Sequence, residues 1–288
     1  KGELLEKLNF KKWFMVSVGC RNQYCGIYEC EYDEVIYYLL DSEFYFHRDG
    51  LYGEGDDGER FAFFDRAVLE TLKEVDWCPD IIHCNDWQTG MIPVLHKLEY
   101  SKDPFYKDIK TVTSIHNLLF QGNFSADILP ELFGYDYELI INGSLEFYGD
   151  RILTVSETYA KEIQTPYFGE NLDGLLRERG YALKGIVNGI DYDEFDPSKD
   201  SLIDKNFSVE TLEDKALNKL ALQKELGLPI NSDIPMISIV SRLTNQKGCD
   251  LIVNIAHRLL QRNVQLVILG TGDYNYENHF RGLQELYP

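Results

Sequence analysis

The 288-residue sequence contains no run of about 18 apolar residues and no charged-then-apolar leader, so nothing in it points to a membrane span or to secretion. Positive charge is also scarce: 28 Lys and Arg stand against 48 Asp and Glu, for a formal net charge of −20 and a pI near 4.6. Phosphate backbones are bound through basic surface, so no nucleic-acid partner is expected, and an anionic ligand would need a local positive site. The six cysteines, Cys20, Cys25, Cys30, Cys78, Cys84 and Cys249, form no CxxC pair and no metal-ligand spacing. They read as reduced thiols of a cytosolic protein, with no metal site. Disorder has no compositional footing either, since 44% hydrophobic and 26% charged residues are ordinary for globular chains. The length suits one large domain or two of usual size.

From Asp80 onward, short β-like runs alternate with helical patterns, the signature of βα units laid into a mostly parallel sheet. The runs are 81–84, 111–115, 152–155, 185–187, 236–240 and 264–269. Each is short and bounded by polar residues or glycine, as a strand buried on both faces should be. Apolar stripes at helical spacing lie between them: Phe61, Phe64, Val68, Leu72 and Val75 on one helix, and Ile252, Ile255, Ala256 and Leu259 on another, both read as core packing. Cys25 to Leu40 reads as two strands around Asp33-Glu34, and the glycine- and acid-rich loop 47–58 as mobile surface.

The polar stretch from Asp191 to Asp214 reads as a linker, followed by a helix from about Leu212 to Leu226 that Gly227 and Pro229 stop. The expected division is an N-terminal domain over 1–190, a linker and helix over 191–232, and the opening of a second domain over 233–288. With two strands and about one and a half helices, that last part is too small for a core of its own.

In open α/β sheets ligands bind beyond the carboxyl ends of the strands. After the first parallel strand stands Asp86, either an active-site carboxylate or an N-terminal helix cap; spacing alone favours the cap. After the second stand His116 and Asn117, with Gln121-Gly122-Asn123 close behind. A core histidine and a sugar-binding histidine are evenly matched for His116, and the polar cluster tilts the balance toward a ligand. Asn188-Gly189 is foremost a turn signal. The most informative segment is Ser241 to Gly248, where Arg242 and Lys247 have no acid between them and Lys247-Gly248 opens a helix. Helix N-termini already favour anions, so two cations there suit a diphosphate. Gly270 and Gly272 allow close backbone approach to a nucleotide, on the weak signal of a lone Gly-x-Gly.

Taken in order, the runs 83–87 (HCNDW), 115–117 (IHN) through 120–122 (FQG), 155–160 (VSETYA), 187–191 (VNGID) and 240–248 (VSRLTNQKG) resemble bacterial glycogen synthases and plant starch synthases over nearly the whole chain. The resemblance implies an α/β fold class, two Rossmann-like domains of the GT-B glycosyltransferase architecture, with the N-terminal one nearly complete and the C-terminal one only begun. It implies transfer of glucose from ADP-glucose to the non-reducing end of an α-1,4-glucan with retention of configuration. ADP-glucose would serve as donor substrate, with no cofactor and no metal. It gives His116, Arg242, Lys247 and Asp86 catalytic roles and assigns Asn117, Asn188, Tyr52, Gly270 and Gly272 to substrate binding, with Asn188 on the sugar side and Tyr52 on the nucleotide side. The implied partners are an α-glucan and a nucleotide-sugar, without nucleic acid or membrane, and the implied compartment is the bacterial cytoplasm.

Three departures stand out. The family's Lys-Thr-Gly-Gly-Leu loop would precede Lys1, which is not a Met, and its Glu-Pro-x-Gly segment would follow Pro288. An Asn-Phe-x-Lys-x-Gly stretch is missing at the join near Tyr148-Gly149-Asp150. Omitted residues are expected at all three places, and the 288 residues alone are expected to be inactive. Two alternatives stay open: a related glycosyltransferase making sucrose, a sugar phosphate or a glycolipid, and a non-catalytic glucan-binding homologue.

Overall fold

A computed structural model describes residues 6–136 and 148–288, which divide into two compact units, Lys1–Asn188 and Gly189–Pro288.

The first unit opens with an antiparallel meander, β1 (Asn9–Val18), β2 (Arg21–Tyr32) and β3 (Val35–Asp41), in the order β1-β2-β3. Asp33 and Glu34 form the β2–β3 turn with φ of 51° and 61°. Left-handed backbone at both central residues matches the twist of a tight hairpin, and the register pairs Tyr32 with Val35 directly. The loop that follows is more firmly held than expected. Gly53 N–H donates to Asp57 Oδ2 at 2.6 Å, Arg60 Nη2 reaches the Leu51 carbonyl at 3.4 Å, and Arg48 pairs with Asp56 at 3.0 Å.

Helix α1 (Asp57–Glu74) then leads into a four-stranded parallel sheet, β4 (Ile81–Asn85), β5 (Lys110–Ile115), β6 (Arg151–Thr154) and β7 (Leu183–Gly185), ordered β4-β5-β6-β7. The expected stripe on α1 needs correction. Of its members only Leu72 is fully buried, whereas Ala62, Phe63, Ala67 and Leu69 lie deeper. The helix serves two cores rather than one. Ala62, Phe63 and Ala67 pack with Val16, Cys25 and Tyr45 of the meander side, while Leu69 and Leu72 pack with Ile82, Cys84, Ile92 and Leu95 beneath the parallel sheet. A helix covered from two sides has no single apolar stripe.

Helix α2 (Met91–Leu98) follows β4 and buries Ile92, Val94 and Leu95. The join region is described only from Tyr148. There Asp150 fixes the entry to β6: its amide donates to the Thr111 carbonyl and its Oδ2 accepts from the Thr111 amide, both at 2.9 Å. Helices α3 (Glu157–Glu162) and α4 (Asp173–Glu178) close a third cluster of Leu118, Ile152, Ile163 and Leu176. The last strand lies two residues earlier than expected. Ile186 makes one final ladder bond to the Thr154 carbonyl at 2.8 Å, and its side chain and that of Val187 are 51% and 72% exposed beyond the sheet.

The second unit contains α5 (Lys215–Glu225), β8 (Met236–Val240), α6 (Cys249–Leu260), β9 (Gln265–Leu269) and α7 (Tyr274–Leu286), with β8 and β9 paired in parallel. Its fully buried apolar residues among those described are Leu243, Cys249, Ala256 and Leu283, and all three apolar clusters lie in the first unit. A buried amide pair takes on part of the tethering: Gln223 of α5 donates to Gln265 Oε1 of β9 at 2.6 Å, and Gln265 donates to the Pro229 carbonyl at 2.7 Å.

Candidate functional site

The parallel sheet delivers its chemistry where β4 and β5 end side by side. The Asp86 amide donates to the Ser114 carbonyl at 2.9 Å, so the β4 backbone stays in ladder register up to this residue. It then turns with φ 57° and ψ −172°, a conformation that essentially only glycine adopts without cost. This turn sends the carboxylate sideways, and Oδ1 accepts the backbone amide of His116 at 2.8 Å. Spacing alone had favoured Asp86 as a helix cap. That assignment is corrected: a cap has extended backbone and accepts from its own helix, whereas Asp86 makes no side-chain cap bond and holds the neighbouring strand instead.

His116 is exposed at the end of β5, not packed in the core. Its Nε2 lies 3.0 Å from Asn85 Oδ1. In that orientation the amide oxygen accepts and Nε2 carries the hydrogen, while Nδ1 makes no hydrogen bond among the described residues. Asn85 was not among the candidates, although it stands between Cys84 and Asp86 in a run that carried the resemblance. Asn117 is half-buried and uses Oδ1 locally, accepting from the Leu119 amide at 3.1 Å. Gln121 ties the following loop down, donating to the Leu118 and Glu170 carbonyls at 3.0 and 2.9 Å. Trp87 stands edge-on to Phe61 with ring centres 4.8 Å apart, and 5.6 Å from Phe124. Gly122 lies so close to the indole that a Cβ there would sit 2.3 Å from Cε3.

A second carboxylate escaped notice altogether. Asp65 of α1 is 1% exposed and accepts the Met91 amide at 2.9 Å, capping α2 from another helix. Burial pushes its carboxyl well above the usual carboxylate range, against the opposing pull of the Met91 and Ile92 amides. The only signal in the sequence was an acid that follows the apolar run 61–64 of α1, and the Met91 amide it accepts stands 26 residues further on.

Tyr52 and Asn188 are exposed, and neither has a hydrogen bond to the Asp86–His116 pair among the described residues. In the second unit, Arg242 and Lys247 are exposed and, among the described residues, form no ion pair. Leu243, 3% exposed, anchors the loop between them, and Gly248 caps α6 with left-handed backbone. Gly270 and Gly272 pack against this same segment: a Cβ would stand 1.9 Å from the Ser241 carbonyl oxygen at the first and 2.3 Å from that of Leu243 at the second. Close approach to protein backbone is therefore one reason for glycine at each position. The Gly272 amide is also occupied, donating to Glu277 Oε1 at 2.9 Å, a bond that with Arg281 holds the Glu277 carboxyl below its usual range. Among the described residues, no group of three His, Cys, Asp or Glu is arranged to hold a metal ion, and no helix is long and apolar enough to cross a membrane.

Comparison with known proteins gives this arrangement a context. A family profile described as the starch synthase catalytic domain matches residues 2–178. A glycogen synthase of Clostridium perfringens (strain 13 / Type A) is 89% identical over 300 residues, covering the whole chain and 62% of the relative. That span exceeds the 288 residues present here, which fits the expectation that relatives carry residues this chain lacks. A glycogen synthase of Clostridium botulinum (strain Eklund 17B / Type B) is 62% identical over 298 residues, covering 99% of the chain and 62% of that relative. The chain thus spans less than two thirds of the length of these relatives. Among solved structures, the catalytic domain of starch synthase IV from Arabidopsis thaliana bound to ADP and acarbose matches with a TM-score of 0.88 and 28% identity, covering 97% of this chain and 61% of that one.

Proposed function

Because the chain belongs to the starch synthase catalytic-domain family, we propose that the protein is a retaining glucosyltransferase that extends an α-1,4-glucan from ADP-glucose. The observation that carries this is the Asp86–His116 clasp at the ends of adjacent parallel strands, which holds an imidazole and a carboxylate where an α/β sheet receives its ligand. The match to a starch synthase bound to ADP and acarbose supports an adenine nucleotide and an α-glucan as ligands.

His116 and Asp86 hold the glucosyl unit, with Asn117 and Asn188 on the sugar side and Tyr52 on the nucleotide side. Arg242 and Lys247, cations that form no ion pair among the described residues, take up the charge that develops on the departing diphosphate. Preorganised charge of this kind is commonly the largest single contribution to an enzyme's rate. Gly270 and Gly272 bring backbone close to the nucleotide while packing against the Arg242 segment. In this scheme the two cations supply the charge neutralisation, so the reaction calls for no cofactor. The bacterial origin of the similar sequences supports a cytoplasmic location.

Incorporation of labelled glucose from ADP-glucose into glycogen by the full-length protein tests the proposal, with UDP-glucose as a second donor and fructose, glucose 6-phosphate and lipid as alternative acceptors. Elongation of glycogen is expected. Transfer only to a small acceptor, or glycogen binding without transfer, would overturn it.

A further inference from the structure

Two consecutive residues at the end of β4 hold opposite parts of one histidine. Asp86 Oδ1 accepts the backbone amide of His116 at 2.8 Å, and Asn85 Oδ1 meets Nε2 of its ring at 3.0 Å. Asn85 is itself tied down, paired with Ser114 in the ladder and accepting Thr89 Oγ1 on its carbonyl at 3.0 Å. Both Asn85 and His116 are exposed at the carboxyl end of the sheet, so their contact is not a by-product of core packing.

The direction of the amide decides the state of the ring. Asn85 Nδ2 donates to the His83 carbonyl at 3.4 Å, and a carbonyl only accepts, so the nitrogen lies on that side and the oxygen toward His116. An amide oxygen never donates. Nε2 therefore carries the hydrogen, and in the neutral ring Nδ1 is then an acceptor. His83 offers the contrast. Its Nε2 lies 2.7 Å from Ser114 Oγ, a hydroxyl that can donate or accept, and such a partner leaves the tautomer open. Of these two histidines, the one at the ligand-receiving end of its strand has the partner that dictates which nitrogen is bare.

We propose that Asn85 is a positioning residue for glucosyl transfer: it holds the His116 ring with Nε2 protonated and Nδ1 left as an acceptor for a hydroxyl of the transferred glucose. It rests on the glucosyl-transfer function proposed above. The opposite tautomer and the imidazolium would each present a donor at Nδ1, where the hydroxyl needs an acceptor.

The test uses the full-length enzyme with ADP-glucose and glycogen, and two variants. Asn85→Leu keeps the size and removes the acceptor. Asn85→Asp keeps the acceptor and adds a charge that favours the imidazolium. Asp86, the charged side chain bonded at this strand end, stays in place in both. Relative to wild type, kcat of Asn85→Leu is expected to fall about fivefold to tenfold at every pH, the scale of one hydrogen bond. Asn85→Asp should fall as far at about pH 6 and recover to near the wild-type rate by about pH 9, where the ring is neutral again. Nitrogen-15 spectra of the histidine rings, assigned with His116→Ala, should show the wild-type ring protonated at Nε2 and bare at Nδ1. Wild-type kcat in Asn85→Leu would overturn the proposal, as would equal losses in both variants at every pH, which would mark a merely structural residue. A change confined to KM would assign Asn85 to ground-state binding and overturn it too. If the wild type transfers no glucose, the transferase proposal fails, while a ring protonated at Nδ1 would overturn the role of Asn85 on its own.

Discussion

The carboxylate of Asp86 is bonded to the backbone amide of His116 at 2.8 Å, and the residue that makes this bond carries φ of 57°. A non-glycine residue in that region costs about 1–3 kcal/mol, so the clasp is held against local strain by its surroundings.

Asp86→Gly separates strain from function. Glycine accepts the backbone conformation, while the bond to His116 is lost. The melting temperature is expected to stay level or rise, and glucosyl transfer to fall by about 10²-fold or more, as for loss of one preorganised group. Thermal melts alongside initial rates check this. A variant that is both active and more stable would show the strain to be unrelated to catalysis.

Lys247→Ala removes a cation that no acid of the described chain engages. In the full-length enzyme, turnover is expected to drop by about 10²-fold or more, with the loss falling on kcat because the charge develops as the diphosphate leaves. Steady-state kinetics at saturating ADP-glucose measures it. A rise in KM alone would assign Lys247 to ground-state binding.

Asp65 gives a pH-dependent stability. Burial raises its folded pKa well above the usual 3.8, so the folded state prefers the neutral acid. Its contribution is present in full below that usual value and is lost as pH rises toward the folded pKa. Asp65→Asn carries no such loss. The difference in melting temperature, variant minus wild type, should therefore grow as the pH rises above the usual value of 3.8 toward the folded pKa. A difference that shrinks over that range would mean that Asp65 is charged in the folded protein.

The thiols should sort by burial. Cys25 and Cys84 are both pushed up to about 12, chiefly by burial and secondarily by the nearby Asp41 and Asp65 carboxyls respectively. Thiolate is the reactive form, so a disulfide reagent at about pH 8 should modify Cys20 and Cys78 quickly and reach Cys25, Cys30, Cys84 and Cys249 only after denaturation. Peptide mapping of the native product would reveal any departure.

Much of this was legible in the residues, and the misses share a cause. The strands at 81–85, 110–115 and 236–240 stand out because short apolar runs closed by polar residues have few other uses. Ile186 and Val187 misled because β-branched residues look like strand wherever they fall, while the sheet's end is set by what lies beside it. Asp86 was visible as a carboxylate at a strand end, but its direction depends on one backbone angle that composition does not encode. Asp65 and the double burial of α1 arise from contacts between segments far apart in sequence, where periodicity within one segment carries no information. Gly270 and Gly272 were read for a nucleotide, yet each also answers to a carbonyl of the protein itself, a constraint visible only once β8 and β9 are side by side.

Helix α1 contributes Phe63 to one apolar cluster and Leu69 to the other. Heat or denaturant cannot strip away the meander and leave the parallel strands standing, because both lean on the same eighteen residues. The first unit should melt in a single step, and a protease nick in the loop just ahead of the helix would leave the severed halves clinging together.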